Sequence, residues 1–213
     1  MKKNQNILII SVIVYLVLAY SVPYGNFIVY PIQLFVTFLH EFGHAIFAML
    51  TGGSVKALQI NADGSGYAIT GGGITSLVLL GGYIGSAIFG NTLLYVGYKK
   101  QSWSKNILYF IIGLLIFSAI IWFESLVSSL ILFALALLLY TISKQKEYAS
   151  VILQFLGITT LLYIIKDYSV GPTSDIAKFS DIFIFIPEVV WMIIWLILVL
   201  GITGWNVKKI IKK

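Results

Sequence analysis

The chain has no cysteine and no arginine, and it holds two histidines in 213 residues. The lack of cysteine excludes a disulfide framework, a thiolate metal site and a thiol nucleophile. Any metal must therefore be held by His, Asp or Glu. Charge is scarce as well. Asp, Glu, Lys and Arg make up 10% of the chain, against about 25% in a soluble domain. That is too little polar surface to coat a soluble globule. What fills the sequence instead is apolar: 59% of residues are hydrophobic and mean hydropathy is +0.97. The expected class is an all-α polytopic membrane protein.

The net charge of +6 is carried entirely by lysine. Lys99, Lys100 and Lys105, then Lys144 and Lys146, then Lys208, Lys209, Lys212 and Lys213 sit in short gaps between apolar runs. Juxtamembrane anchors are placed this way, and a nucleic-acid surface is not. The expected environment is a lipid bilayer, with no nucleic-acid partner.

Seven apolar runs can be traced: Ile7–Val22, Pro31–Leu50, Ile74–Tyr98, Asn106–Trp122, Leu126–Thr141, Ala149–Ile165 and Val189–Trp205. Six or seven transmembrane helices are expected. Pro31 suits a helix start, and Thr51-Gly52-Gly53 suits a helix end. Trp191, Trp195 and Trp205 suit a membrane interface. Gly81 with Gly85, and Gly82 with Ser86, form small-xxx-small pairs that let helices approach closely. A retained first span is favoured over a cleaved signal.

Residues 54–72 break the apolar pattern. Ser54–Ile60 alternates loosely, Gly66–Thr70 is β-compatible, and Asn61-Ala62-Asp63-Gly64-Ser65 between them is a turn signal. A small β-hairpin inserted after the second helix is expected, within a single membrane-embedded domain spanning 1–213.

Both histidines fall in one short stretch, His40-Glu41-Phe42-Gly43-His44, inside the second apolar run. Ionisable groups are costly in hydrocarbon, so a cluster of them there points to a functional site. Positions i and i+4 share one helix face, so His40 and His44 can offer nitrogens to one ion. Glu41 reaches the edge of that site from about 100° around the helix. This is the arrangement in which Glu41 acts as a base toward water and passes the proton to the leaving amine. Gly43 and Ala45 are expected to leave room for a substrate backbone. The plain alternative is a structural histidine pair in a polar helix interface. A divalent-cation transporter is a further reading, but such a protein would string polar residues across several spans.

A catalytic zinc needs a third protein ligand, which here must be a carboxylate. Asp175 follows the Gly171-Pro172 break and precedes an apolar stretch. It could equally serve as a helix N-cap, and Asp181, Asp167 and Glu188 stand behind it as candidates.

His40-Glu41-Phe42-Gly43-His44-Ala45, Leu50-Thr51-Gly52-Gly53, Asp63-Gly64-Ser65-Gly66 and Gly71-Gly72-Gly73 resemble the small bacterial branch of the site-2-protease family. The similarity runs over about residues 35–90 and resumes at Ser174-Asp175-Ile176-Ala177. The resemblance implies an intramembrane zinc metallopeptidase in a bacterial cell membrane, acting on membrane-protein substrates. It implies one Zn2+ held by His40, His44 and Asp175, with Glu41 as base. It also implies that residues 54–70 pair with an unwound substrate strand. Better-known members read Leu-Asp-Gly where this chain reads Ser174-Asp175-Ile176, and oxyanion stabilisation stays unassigned.

Overall fold

A computed structural model of the chain describes residues 2–145, 148–167 and 174–212. In order, the elements are α1 (Lys2–Tyr20), α2 (Gly25–Leu50), β1 (Ser54–Ile60), β2 (Gly66–Gly71), α3 (Thr75–Lys99), a 3-10 turn (Gln101–Trp103), α4 (Ser104–Ile121), α5 (Leu126–Ser143), α6 (Ala149–Asp167), α7 (Asp175–Ile182) and α8 (Glu188–Ile211). The expected all-α architecture with one hairpin insertion is what the chain adopts. Five helices are long and apolar enough to cross a membrane, and Asn6–Tyr20 and Ala149–Ile165 are shorter apolar helices. The protein is an integral membrane protein. The Gly171-Pro172 break lies outside the described residues, as does the Asp167 side chain.

Helix α3 is the central pillar. Within its most apolar window 67% of residues are buried, against 11% for α8 on the outside. Two apolar cores flank the pillar. One joins α2, β1, α4, α5 and α6 through Phe38, Leu58, Leu115, Leu132 and Leu153. The other joins α3, α7 and α8 through Ile84, Leu94, Ile176, Phe179 and Trp195. Trp195 thus corrects the interface expectation: it is 1% exposed and packs on Phe179 with ring centroids 5.0 Å apart. Trp205 does face outward, with Lys209 Nζ 3.5 Å from its ring centroid.

Helix α2 begins six residues before Pro31, which therefore lies inside it rather than at its start. Proline fits the helical φ but has no N–H for the carbonyl one turn back. The other end is as expected. Gly52 takes φ 85°, its N–H donates to Met49 O (3.2 Å), and Gly53 N–H donates to Ala48 O (2.8 Å). This pair of bonds is a Schellman stop. Thr51 then ties the stop to α3, accepting from Ile74 N–H at 3.1 Å.

Small residues set the distance between α2 and α3. A Cβ on Gly43 would lie 2.2 Å from Gly81 O, and one on Gly85 would lie 3.0 Å from Gly43 Cα. Gly43 therefore serves helix contact rather than substrate room, and Ala45 is wholly buried. Both assignments correct the expectation that these residues leave space for a substrate.

The hairpin pairs antiparallel, from Ser54 opposite Gly71 to Ile60 opposite Gly66. Its turn is closed by Asp63, whose Oδ1 accepts from Ser65 N–H (2.9 Å) and Ser65 O–H (2.7 Å). Those donors hold the Asp63 carboxyl below its ordinary range. The hairpin folds back along α2, where Thr37 O–H donates to Gly64 O at 2.7 Å and Tyr30 O–H donates to Ala62 O. The outer edge of β1 is fastened by the α4–α5 connection and the first turn of α5: Leu58 N–H donates to Trp122 O (2.9 Å) and Ile60 N–H to Ser128 Oγ (2.9 Å).

Candidate metal centre

The helical period brings His40 and His44 to one face of α2, with ring centroids 4.8 Å apart. Their Nε2 atoms lie 3.0 Å and 3.1 Å from the same oxygen, Asp175 Oδ2. One ligand atom from each of the three residues falls within 4.8 Å of the others. The edge of a tetrahedron around zinc with nitrogen and oxygen ligands is about 3.3 Å, so the two nitrogen–oxygen distances match that edge to within a few tenths of an ångström.

Each side chain is held from behind. His44 Nδ1 is 2.7 Å from Val78 O. As the donor there, it leaves the Nε2 lone pair free for a metal, the usual outer contact of a histidine ligand. The His40 ring stands edge-on to Tyr83, centroids 4.8 Å apart. Asp175 is not the N-cap of α7. Ser174 caps it, its Oγ accepting from Ala177 N–H at 3.1 Å. The Asp175 carboxylate is thereby free to turn toward the histidines from the first helical turn.

Gly82 completes the cradle. A Cβ there would sit 2.4 Å from His40 Nε2 and 2.6 Å from His44 Nε2. The space is kept open by the absence of a side chain at the point where the two nitrogens converge. The donor set and this space both fit a divalent metal. Sequence reasoning read Gly82 only as helix packing. Its one signal was a glycine-rich stretch, which does not distinguish a packing glycine from a site glycine.

Glu41 is buried, 6% exposed, and lines two cavities that share His40, Gly66 and Tyr83. One, about 500 Å3, extends over Gln33, Thr37, Asp63 and Ser65. The other, about 290 Å3, holds the His–His–Asp cluster with β2 on one wall and Ser174, Asp175 and Lys178 on another. Gly66 lets β2 approach Glu41: a Cβ there would lie 3.0 Å from Glu41 Cγ. Of the other acids, Asp181 is exposed. Among the described residues, neither it nor Glu188 joins a metal-holding group with the histidines.

Neither the curated proteins nor the solved structures contain a match to the chain. The family model described as Peptidase M50B-like matches residues 8–206. A family match over nearly the whole chain, together with the apolar helices and the His40-Glu41-x-x-His44 motif, identifies this protein as a member of the Peptidase M50B-like family, a membrane peptidase of the site-2-protease type.

Proposed function

We propose that this protein is an intramembrane zinc metalloendopeptidase that hydrolyses peptide bonds in or near the transmembrane segments of other membrane proteins. The observation that carries this reading is the convergence of His40, His44 and Asp175 beside Glu41 in a cavity walled by β2. Two imidazoles and a carboxylate suit zinc well. The family match supports reading residues 1–213 as one membrane-embedded metallopeptidase domain. The resemblance to the small bacterial branch supports a bacterial cell membrane as its place of work.

A helical substrate hides its peptide bonds in its own hydrogen bonds, and an extended strand in hydrocarbon leaves backbone groups unsatisfied at several kcal/mol each. Strand β2 answers that need. The outer edge of β1 is occupied by the end of α4 and the start of α5, whereas β2 borders the cavity of the cluster. A substrate strand laid along β2 by β-augmentation brings its carbonyl carbon between the cluster and Glu41. His40, His44 and Asp175 would hold the ion, which would supply Lewis acidity when bound. Glu41 takes the proton of the attacking water and delivers it to the departing amine nitrogen.

The test is a cleavage assay on a model transmembrane helix, run beside elemental analysis of the purified protein. Wild type should carry one zinc per chain and cut. Glu41→Gln should keep the zinc and lose about 10²- to 10⁴-fold in kcat. Normal turnover by Glu41→Gln would overturn the assignment.

A further inference from the structure

Among the described residues, Lys178 is the one ammonium lining the two cavities at the cluster. It lies in α7 one helical turn after Asp175, and its side chain is exposed. Among the described residues, the ion pairs within 4.0 Å are those of His40 and His44 with Asp175. Lys178 thus has neighbouring acids on its own helix, Asp175 and Asp181 at i±3, without an ion pair to either. Among the described residues, the carboxyl groups lining these cavities outside the His–His–Asp cluster are Glu41 and Asp63, and Ser65 ties Asp63 into the hairpin turn. One wall of the inner cavity therefore carries a positive charge without an ion pair, across the cavity lining from β2, and its field also reaches Glu41.

We propose that Lys178 is a specificity-determining residue that selects substrate segments bearing an acidic side chain close to the cut bond. The inference rests on the peptidase reading above and deepens it. A strand held along β2 passes between that strand and α7, under the lysine. Residues one turn apart on a helix are about 5–6 Å apart at Cβ, and a strand advances about 3.3 Å per residue. The ammonium therefore reaches substrate positions within about three residues of the bond at the cluster. A carboxylate there meets a cation in a cavity whose walls are largely protein. A lysine there meets a like charge, and rejection of the wrong partner is the larger contribution of such a site. Acids are rare inside transmembrane helices, so the selected bond lies where a span meets its polar flank.

The experiment uses the full chain loaded with zinc in detergent or liposomes. Three versions of one transmembrane substrate carry Glu, Gln or Lys at a position scanned along the flank of the cleaved bond. Wild type should cleave the best-placed Glu version with kcat/KM roughly tenfold above the Lys version. Lys178→Gln should level the three, and Lys178→Glu should reverse their order. Zinc content and melting temperature of both variants should match wild type. A fall of equal size on all three versions would show that Lys178 acts on the cluster and not on the substrate, which overturns the inference. Equal cleavage of all three by wild type overturns it as well, while leaving the peptidase reading intact. No cleavage of any version by wild type overturns both.

Discussion

Helix α2 supplies two of the three cluster residues from a 26-residue, heavily buried helix, whereas α7 supplies the third from a helix of eight. In α2 the spacing of His40 and His44 follows from the helical repeat alone, and the surrounding pillar of α3 holds it rigid through glycine contacts. In α7 the position of Asp175 depends on a cap and on aromatic packing. Ser174 starts the helix, and Phe179 anchors its far end between Trp191 and Trp195. The difference separates a preformed pair of imidazoles from a carboxylate brought in by tertiary contact. Damage in α2 should be all-or-none, and damage in α7 should be graded.

The largest effect is expected at the pair. His40→Ala or His44→Ala should reduce bound zinc from one to near zero and cleavage to background, measured by elemental analysis and assay. Next comes the third residue. Asp175→Asn should weaken zinc binding by more than 100-fold in chelator competition, while Asp181→Asn stays within about twofold of wild type. If Asp181→Asn had the greater effect, the pairing of α2 with α7 described here would be broken. Gly82→Ala tests the space between the histidine nitrogens. Its methyl group should lower zinc affinity by about 10- to 100-fold with little change in far-UV circular dichroism. The smallest effect belongs to the cap. Ser174→Ala should destabilise α7 by about 1 kcal/mol, seen as a severalfold loss of zinc affinity. Ser174→Asp, which can still cap, should restore it.

The same contrast explains what could be read before any coordinates. The Thr51-Gly52-Gly53 stop, the Asn61–Ser65 turn and the His40/His44 face are all relations between residues a few positions apart, where backbone chemistry is nearly the whole story. Pro31 misled because proline is tolerated in a helix interior when the rest of the segment is apolar and packed. Trp195 misled because an aromatic on a lipid-spanning helix looks the same whether it faces lipid or core. Gly43 and Gly82 are both glycines on facing helices. Only the packing of α2 on α3 assigns one to helix contact and the other to the site.

Asp175 lies 135 positions from His40, and nothing local to Ser174-Asp175-Ile176 separates a ligand from a cap. The order of residues alone therefore establishes a membrane-embedded helix presenting two imidazoles and a carboxylate, because helical geometry and the cost of polar groups in hydrocarbon act over single turns. Which acid closes the cluster, which glycine keeps its centre open and which hairpin edge lies beside it were settled by long-range packing. Those relations join segments whose approach depends on the whole bundle assembling around α3.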